Sequence, residues 1–333
     1  METPYNRIGE INMLTEKRST KIGAAILIFA LVLRLLTGPG AQWGELFSKD
    51  QENTLPKLPQ LPALTAPIET LPLPSQPILQ IPAFGTEDLT LTPLRYSCGY
   101  RPDVEKLLRQ ELRWSLDDGQ PAVLIVHTHG SESYTREKGQ TYEETAKYRT
   151  LDTDYNMVAV GDLLARLLEE AGIRVIHDRQ THDYPSYNSS YNNSRKSVKE
   201  YLQEYPSIRL VLDVHRDALE RADGSQIATG ATVGGEKSAQ IMFLVGTDES
   251  GNYHPDWKDN LALATKLNVL MEHIAPGITR PSTLRAQRFN QDLGTVALLV
   301  EVGAAGNTLT EALRAIPVLA QAIIALKNGA NWT

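Results

Sequence analysis

Short apolar runs that stop abruptly at polar residues recur along the chain from about residue 123 onwards. The clearest is Val123–Val126, in which three of the four residues are β-branched, and it leads directly into His127, Thr128 and His129. A continuous apolar run of this length is typical of a strand that is buried on both faces of a sheet. Ligands of open α/β sheets bind just beyond the carboxyl ends of the strands. The pattern therefore predicts a site immediately after this strand.

Amphipathic segments with a helical period separate these runs. Leucine and valine recur on one face of Asn156–Ala171, and Gly172 follows as a helix C-cap. Strands that alternate with helices predict an α/β fold, with a mainly parallel twisted sheet flanked by helices. The predicted strands are Val123–Val126, Arg174–His177, Leu210–Asp217, Gln240–Val245 and Ala297–Val302. The predicted helices are Asp103–Leu116, Asn156–Ala171, Ser194–Glu204, Asp259–Ile274 and Thr308–Ala325, and the polar stretches Arg136–Thr153 and Tyr184–Asn193 are predicted loops.

An apolar stretch near the N-terminus, Ile22–Leu36, contains one charged residue, Arg34, and follows a basic flank. It is short for a membrane-spanning helix, which needs about 20 residues, although Arg34 near one end can extend towards the headgroups. Because the positive flank holds the N-terminus inside, we expect residues 22–37 to be an uncleaved anchor and residues 1–21 to be cytoplasmic. A cleaved signal peptide is the main alternative, since small residues follow at 38–41. The one-sided basic flank argues against a third reading, a buried core helix.

Proline punctuates the next segment, residues 38–93, which has neither a helical nor a strand period. Proline at this density favours extended polyproline II backbone and forms a semi-rigid spacer. A Pro-rich recognition segment is the alternative. We therefore expect a single-pass protein of the cell membrane in which residues 94–328 form an extracytoplasmic folded domain.

Composition narrows the choice of partners and ligands. The chain of 333 residues has a formal net charge of −7, which argues against nucleic acid as the main partner. Its hydrophobic content of 41% is ordinary for a protein with a large core. Cys98 is the single cysteine, so an internal disulfide and a four-thiolate zinc site are both excluded. A bound metal would have to use histidine, aspartate and glutamate.

Three predicted buried strands end in residues that bind metals or transfer protons. The first ends at His127–His129, the second at Asp213–Asp217 and the third at Glu301. Parallel strands place their carboxyl ends along one edge of a sheet, so we expect these residues to converge. Imidazole and carboxylate together are the ligand set of hydrolytic zinc sites. A metal centre is the favoured interpretation, and a buried ion pair between Glu301 and Arg216 is the alternative.

Four motifs carry a resemblance to a known family. They are residues 127–134 (HTHGSESY), 213–217 (DVHRD), 290–293 (NQDL) and 301–308 (EVGAAGNT). In this order they resemble the stage II sporulation protein P family, over roughly residues 95–328. That family comprises membrane-anchored peptidoglycan hydrolases of spore-forming bacteria. Its domain is similar in turn to the zinc-dependent N-acetylmuramoyl-L-alanine amidases, which have a twisted sheet flanked by helices.

The resemblance implies an exported enzyme that cleaves the muramoyl-L-alanine amide bond, and also peptide cross-links, while the forespore is engulfed. It implies peptidoglycan as the substrate, Zn²⁺ as the cofactor, and stage II sporulation proteins D and M as partners. Two other classes of function compete with it. A non-catalytic wall-binding or assembly module predicts a degraded site, whereas the motif residues are intact here. A zinc carboxypeptidase acting on stem peptides would differ in its products.

Carried over to this sequence, the resemblance implies that His129, Glu132 and His215 hold the zinc ion. Because His129 and Glu132 are close in sequence, both side chains must come from the loop after the strand. The wider amidase group instead takes its carboxylate ligand from the start of the helix after that loop. That arrangement would point to Asp152 or Asp154 here, so the choice of carboxylate stays open.

Glu301 is then the expected general base, which takes a proton from the attacking water and returns it to the leaving amine. Arg216 is expected to stabilise the developing oxyanion. His127 lies on the same face of an extended chain as His129, and it is an alternative ligand or a supporting group. Four further polar residues are expected to orient these groups or to contact substrate: Asp213, Asp217, Asn290 and Gln291. For Asn290 and Gln291 the alternative is a polar loop that caps the sheet.

Overall fold

A computed structural model describes Phe84 and residues 86–327 of the chain. The predicted cytoplasmic segment, the predicted anchor and almost all of the predicted spacer lie outside these described residues. Within 86–327, none of the helices combines the length and the apolar character that crossing a membrane requires. The folded part begins before the expected Leu94, because Phe84 is buried in the core and Asp88 Oδ1 lies 2.8 Å from His273 Nε2.

Strands and helices alternate along the described part of the chain, as the sequence predicts. The strands are β1 (Leu94–Ser97), β2 (Pro121–Val126), β3 (Arg174–His177), β4 (Leu210–Asp217), β5 (Ala231–Val233), β6 (Glu236–Ser238), β7 (Ile241–Gly246), β8 (Ser282–Arg285) and β9 (Val296–Ala304). The α-helices are α1 (Val104–Arg109), α2 (Met157–Glu170), α3 (Ser190–Glu204), α4 (Trp257–Ile274) and α5 (Leu309–Ala325). Short 3₁₀ helices occupy Thr86–Leu91 and Tyr187–Ser189.

Seven of these strands form one sheet in the order β1-β8-β7-β9-β4-β2-β3, and β5 and β6 form a separate antiparallel pair. Neighbours in the large sheet are parallel except β7 and β9, which are antiparallel. The predicted α/β class with a mainly parallel sheet is therefore confirmed. The reversal at β7 also means that β7, β8 and β1 run in the opposite direction to the other four strands.

The two faces of the sheet are covered unequally. Helices α2, α4 and α5 pack together on one face over a large apolar cluster that includes Ile125, Leu212 and Val300. Helix α3 packs on the other face, where Ser194 and Val198 lie against Val126 and Val211. Since strands buried on both faces must be apolar throughout, this arrangement explains the continuous apolar runs in the sequence.

Helix ends follow the local sequence. The Asn156 side chain accepts a hydrogen bond from Val158 N at the start of α2, and Gly172 adopts a positive φ of 80° just after it ends. Thr308 and Glu311 form a capping box at the start of α5. These capping residues fix α2 and α5 close to their predicted limits.

Other predicted elements were wrong in extent. The predicted helix Asp103–Leu116 ends at Arg109, because the backbone at Gln110 turns extended and Leu116 is buried beside the C-terminal end of α5. Helix α3 begins at Ser190, inside the predicted loop, although its first turn is rich in serine and asparagine. Strands β1, β5, β6 and β8 were missed because runs of three or four residues show no usable period.

Candidate active site at the carboxyl edge of the sheet

The three polar strand ends converge, as predicted. Strands β2, β4 and β9 are adjacent and parallel, with Val126 opposite Asp213 and His215 opposite Glu301. Because residues paired across parallel strands point to the same face, His215 and Glu301 project together on the face that carries α3. The chain after β2 turns over this edge and brings His129 into the same group.

His129, Glu132 and His215 form the centre of this group, and all three are buried. The rings of His129 and His215 lie 5.3 Å apart between centroids, almost perpendicular to each other at 81°. His215 Nδ1 is 3.6 Å from Glu132 Oε2. Two imidazoles and one carboxylate therefore meet, and the buried Nδ1 atom of His129 has no hydrogen-bond partner among the described residues.

The two imidazoles differ in charge state. Burial, reinforced by the charge of His215, lowers the pKa of His129 to about 4, so this ring is neutral near pH 7. Burial alone would also lower the pKa of His215, but Asp213 and Glu132 outweigh it and raise that pKa well above its usual value. In the metal-free protein, His215 is thus an imidazolium between two carboxylates.

Glu132 is held ionised by cations on both sides. Its Oε1 lies 3.3 Å from Arg149 Nη2 and 3.8 Å from Arg216 Nη1. Burial opposes ionisation, but Arg216 and His215 outweigh it and lower the pKa of Glu132 to about 2. The predicted carboxylate is therefore anionic and lies directly against His215.

Arg216 has a different task from the oxyanion stabilisation that the sequence suggested. Its Nε donates to Ser133 O over 2.9 Å, and its Nη2 donates to Tyr148 O over 3.0 Å. The side chain is buried, and its guanidinium is committed to these carbonyls and to Glu132. Arg216 is a positioning residue that ties the loop after β2 to β4.

Asp213 orients His215 from behind, as expected. Asp213 Oδ1 lies 2.8 Å from His215 Nε2. The same carboxylate accepts hydrogen bonds from Thr128 N, at 2.8 Å, and from Thr128 Oγ1, at 2.6 Å. Asp213 therefore fixes both the His215 ring and Thr128, at the start of the loop after β2.

His127 does not belong to this group, which corrects the expectation that it shares a face with His129. The chain leaves the extended conformation after His127, so the period of two no longer holds. His127 Nδ1 hydrogen-bonds to Val214 O, and its Nε2 lies 2.8 Å from His177 Nε2 under α2. A Cβ at Gly161 of α2 would come within 2.5 Å of both imidazoles, so glycine makes room for the pair.

Asp152, Gln291 and Asn290 lie in surroundings that give them structural roles. Asp152 is exposed, and its Oδ1 accepts a hydrogen bond from Asp154 N, so the structure brings neither aspartate to His215. Gln291 is buried and bonds Gly246 N and Leu244 O at the end of β7. Asn290 donates to Tyr191 O at 2.8 Å. The last two follow the alternative interpretation, a polar loop that caps the sheet.

Glu301 has the environment of a group that exchanges protons. Its side chain is buried on β9 beside His215, and its Oε2 has no hydrogen-bond partner in the described part of the chain. Burial, opposed by His215 and assisted by Asp217 and Glu132, raises the pKa of Glu301 to about 8. A carboxyl group with a pKa near neutrality can both take and return a proton at physiological pH.

Replacing Glu301 by glutamine is expected to stabilise the metal-free protein at high pH. The folded state keeps Glu301 protonated up to about pH 8, whereas the unfolded chain ionises it near 4.5. The stability that this proton contributes is complete below about pH 4.5 and is lost as the pH rises towards 8. Glutamine, which does not titrate, escapes this loss, so the variant should gain roughly 4 kcal/mol at pH 8 and almost nothing near pH 4.5.

Thermal unfolding in chelator at several pH values measures this difference directly. The exposed substitution Glu236→Gln is the matched control and should show no pH-dependent gain. Equal stability of wild type and Glu301→Gln at pH 8 would mean that Glu301 ionises normally in the folded protein.

Several residues of the site carried no usable pattern in the sequence. Arg149 donates to Asp183 Oδ2 at 2.5 Å and lies over the Tyr187 ring, which stacks on His129 at 4.5 Å between centroids. These residues come from loops and a one-turn 3₁₀ helix, where side chains follow no usable period. Asp217, expected beside His215 or Arg216, instead accepts a hydrogen bond from Arg280 Nη1 at 2.8 Å.

The donor set is that of a zinc site, but its geometry is not preformed. No group of three or more His, Cys, Asp or Glu side chains within 86–327 stands in metal-ligand geometry. The types of donor nevertheless fit Zn²⁺, and the unpartnered buried Nδ1 of His129 is the kind of atom that a metal would satisfy. His129, Glu132 and His215 are therefore the residues that would hold the ion.

Fold and site together define an α/β protein with a histidine and glutamate centre at the carboxyl edge of its sheet. The family model for Stage II sporulation protein P (SpoIIP) matches residues 80–324. The chain therefore belongs to the stage II sporulation protein P family. Stage II sporulation protein P of Bacillus subtilis (strain 168) is 32% identical over 205 residues, which are 58% of this chain and 48% of that protein. The chain thus spans about half the length of that relative.

Solved structures that resemble the chain include amidases. The CwlD amidase from Clostridioides difficile, in complex with the GerS lipoprotein, is 15% identical with a TM-score of 0.40, over 62% of this chain and 97% of that one. The N-acetylmuramoyl-L-alanine amidase AmiC2 of Nostoc punctiforme is 12% identical with a TM-score of 0.37, over 62% and 96%.

Proposed function

We propose that this chain is a zinc-dependent peptidoglycan hydrolase that cleaves the amide bond between muramic acid and L-alanine. The observation that carries the proposal is that His129 and Glu132, from the loop after β2, meet His215 of β4 and Glu301 of β9, whose pKa is raised to about 8. Membership of the family supports a role in sporulation. The names of the similar solved structures agree with amide hydrolysis.

Zinc, when bound, would supply Lewis acidity to the scissile carbonyl and to water. Binding would require His215 to give up its proton, and loss of that positive charge removes one group that favours the ionised form of Glu301. The larger positive charge of the metal would favour that ionised form instead. Glu301 then accepts the proton of the attacking water and later donates it to the amine of L-alanine. One water is consumed, the C–N bond breaks, and a lactyl carboxylic acid and a free amine result.

Further parts of the proposal rest on the sequence and on the family resemblance. We include an N-terminal anchor at residues 22–37, a domain outside the cytoplasm, and action during engulfment with stage II sporulation proteins D and M. Cleavage of peptide cross-links is a second activity of the same site. Each of these requires its own experiment, such as localisation of the full-length chain in sporulating cells.

The decisive experiment is digestion of purified peptidoglycan by the full-length chain, with the metal content measured on the same sample. We expect one zinc ion per chain and chelator-sensitive release of stem peptides with free lactyl groups on muramic acid, detected by mass spectrometry. Release of terminal amino acids instead would indicate a carboxypeptidase. A folded, metal-free and inactive chain would favour a wall-binding or assembly module.

A further inference from the structure

Arg280 reaches the site from the half of the sheet that runs in the opposite direction. It lies two residues before β8 begins, and its backbone N–H donates to Ile241 O at the start of β7 over 2.8 Å. Because β7 is antiparallel to β9, the starts of β7 and β8 lie at the same edge as the ends of β4 and β9. A residue that precedes a strand is thereby brought beside residues that follow strands.

Of the three nitrogens of the Arg280 guanidinium, only Nη1 has a hydrogen-bond partner among the described residues. Its Nη1 donates to Asp217 Oδ2 over 2.8 Å, which fixes the orientation of the plane. The side chain is only 15% exposed, and Nε and Nη2 are buried without a hydrogen-bond partner in residues 86–327. Buried donors left without partners are destabilising, so such a group is typical of a site that a ligand completes.

The two free nitrogens have a specific geometry. The N–H groups of Nε and Nη2 lie on one edge of the guanidinium and point in the same direction. This edge matches the two oxygens of a carboxylate in a bidentate pair. Asp217 holds Nη1, on the other side of the guanidinium, so the ion pair leaves the edge formed by Nε and Nη2 without a partner.

Arg280 also lies close enough to Glu301 for their charges to interact. The Arg280 guanidinium lowers the pKa of Glu301, against the larger effect of burial, which raises it. Arg280 Nε, Arg280 Nη2 and Glu301 Oε2 all lack hydrogen-bond partners in the described region, so the two side chains do not satisfy each other. A ligand that contacts both side chains would place an anionic group against Arg280 and, a short distance away, a polar group that exchanges a proton with Glu301.

We propose that the Nε–Nη2 edge of Arg280 binds a free carboxylate on the peptide part of the substrate and so positions the scissile amide beside Glu301. This inference rests on the proposed function, since it assigns the substrate contact of the same site. Stem peptides carry such carboxylates, whereas the hydroxyl and acetamido groups of the glycan are uncharged. Arg280 is therefore the residue that selects a peptide-substituted muramic acid with a free acid next to L-alanine.

The test compares two N-acetylmuramoyl peptides that differ only in whether the carboxylate nearest the L-alanine is free or amidated. The full-length chain is measured as wild type, Arg280→Gln and Arg280→Lys. We expect Arg280→Gln to lower kcat/KM about 30-fold for the free acid and less than about 3-fold for the amide. Arg280→Lys keeps the charge but lacks the edge formed by Nε and Nη2, so its kcat/KM for the free acid should exceed that of Arg280→Gln by less than about 3-fold.

Matched controls keep the result interpretable. Arg113→Gln, at an exposed arginine in the segment that leads into β2, should leave both values unchanged. Because both peptides are measured on one preparation, any unfolded fraction of a variant cancels from their ratio. Equal losses on the two peptides, or full rescue by Arg280→Lys, would overturn the inference and leave the hydrolase function intact.

Binding gives a second readout that needs no turnover. Calorimetry with the Glu301→Gln variant should show about 30-fold tighter binding of the free acid than of the amide, and adding Arg280→Gln should remove that preference. A carboxylate preference in a chain that hydrolyses neither peptide would keep this inference and overturn the hydrolase function. Absence of any preference would overturn the inference whatever the activity.

Discussion

Replacing Glu301 by glutamine is expected to lower the rate of amide hydrolysis roughly 1000-fold while zinc content stays at the wild-type level. Glutamine has nearly the same shape as glutamate but cannot accept the proton of the attacking water. Glu301 lies on β9 opposite His215 of β4, close to the proposed metal ligands but not one of them. Release of stem peptides followed by mass spectrometry, with elemental analysis of the same preparation, measures both quantities.

Controls separate a chemical effect of this substitution from a structural one. Glu236→Gln changes an exposed glutamate on β6 and should retain full activity and zinc. The unfolding temperature of Glu301→Gln should equal or exceed that of wild type, because the substitution removes a buried titrating group. Retained hydrolysis would rule out Glu301 as the general base, and loss of zinc would instead make it a ligand.

The convergence of the site could be predicted because it depends on the backbone alone. Apolar runs identified β2, β4 and β9, and parallel strands necessarily align their carboxyl ends. His215 and Glu301 lie near the ends of β4 and β9 and His129 follows β2, so the sequence alone predicts that the three residues meet at one edge of the sheet. Glu132 follows the same strand as His129, but its expected role as a metal ligand rested on the family resemblance.

The position of Arg280 at the site could not be predicted from the sequence, because short strand segments such as β7 and β8 do not reveal which way the strand runs in the sheet. Strand pairing reverses between β9 and β7, so a residue before β8 arrives at the site edge. The roles of His127 and Arg216 also depended on detail beyond the sequence. The turn after His127 brings His129 to the opposite face of the sheet from His127. Buried backbone carbonyls accept the hydrogen bonds of Arg216.

The motif that begins at Glu301 also shows why a pattern of residues does not by itself assign roles. Asn307 is buried, accepts hydrogen bonds from Thr229 N and Ala304 N, and donates to Glu311 Oε2. It therefore shapes the turn after β9 and the start of α5 rather than the chemistry. Of the residues named in this motif, Glu301 is the one whose polar atom lies unpartnered in the site.

Replacing His129 by alanine is expected to remove zinc and activity together, whereas His127→Ala should keep zinc and lose stability. His129 presents an uncommitted ring nitrogen beside His215, so its loss should weaken zinc binding by more than the 10- to 100-fold that is typical of an outer-shell partner. His127 is committed to Val214 O and His177, and its removal leaves buried polar groups unpaired at about 1–3 kcal/mol. Zinc competition with a chromogenic chelator and thermal unfolding separate the two effects.

The same experiment decides which carboxylate completes the ligand set. Glu132→Ala should reduce zinc affinity as strongly as His129→Ala, because Glu132 Oε2 is 3.6 Å from His215 Nδ1 and its charge is maintained by Arg149 and Arg216. Asp152→Ala should leave zinc affinity unchanged, because this side chain is exposed in a turn. The opposite result would mean that the loop between Arg136 and Thr153 rearranges when zinc binds.

Since His215 must lose a proton to bind the metal, wild-type zinc affinity should also fall as the pH is lowered, and loss of that pH dependence would exclude His215 as a ligand.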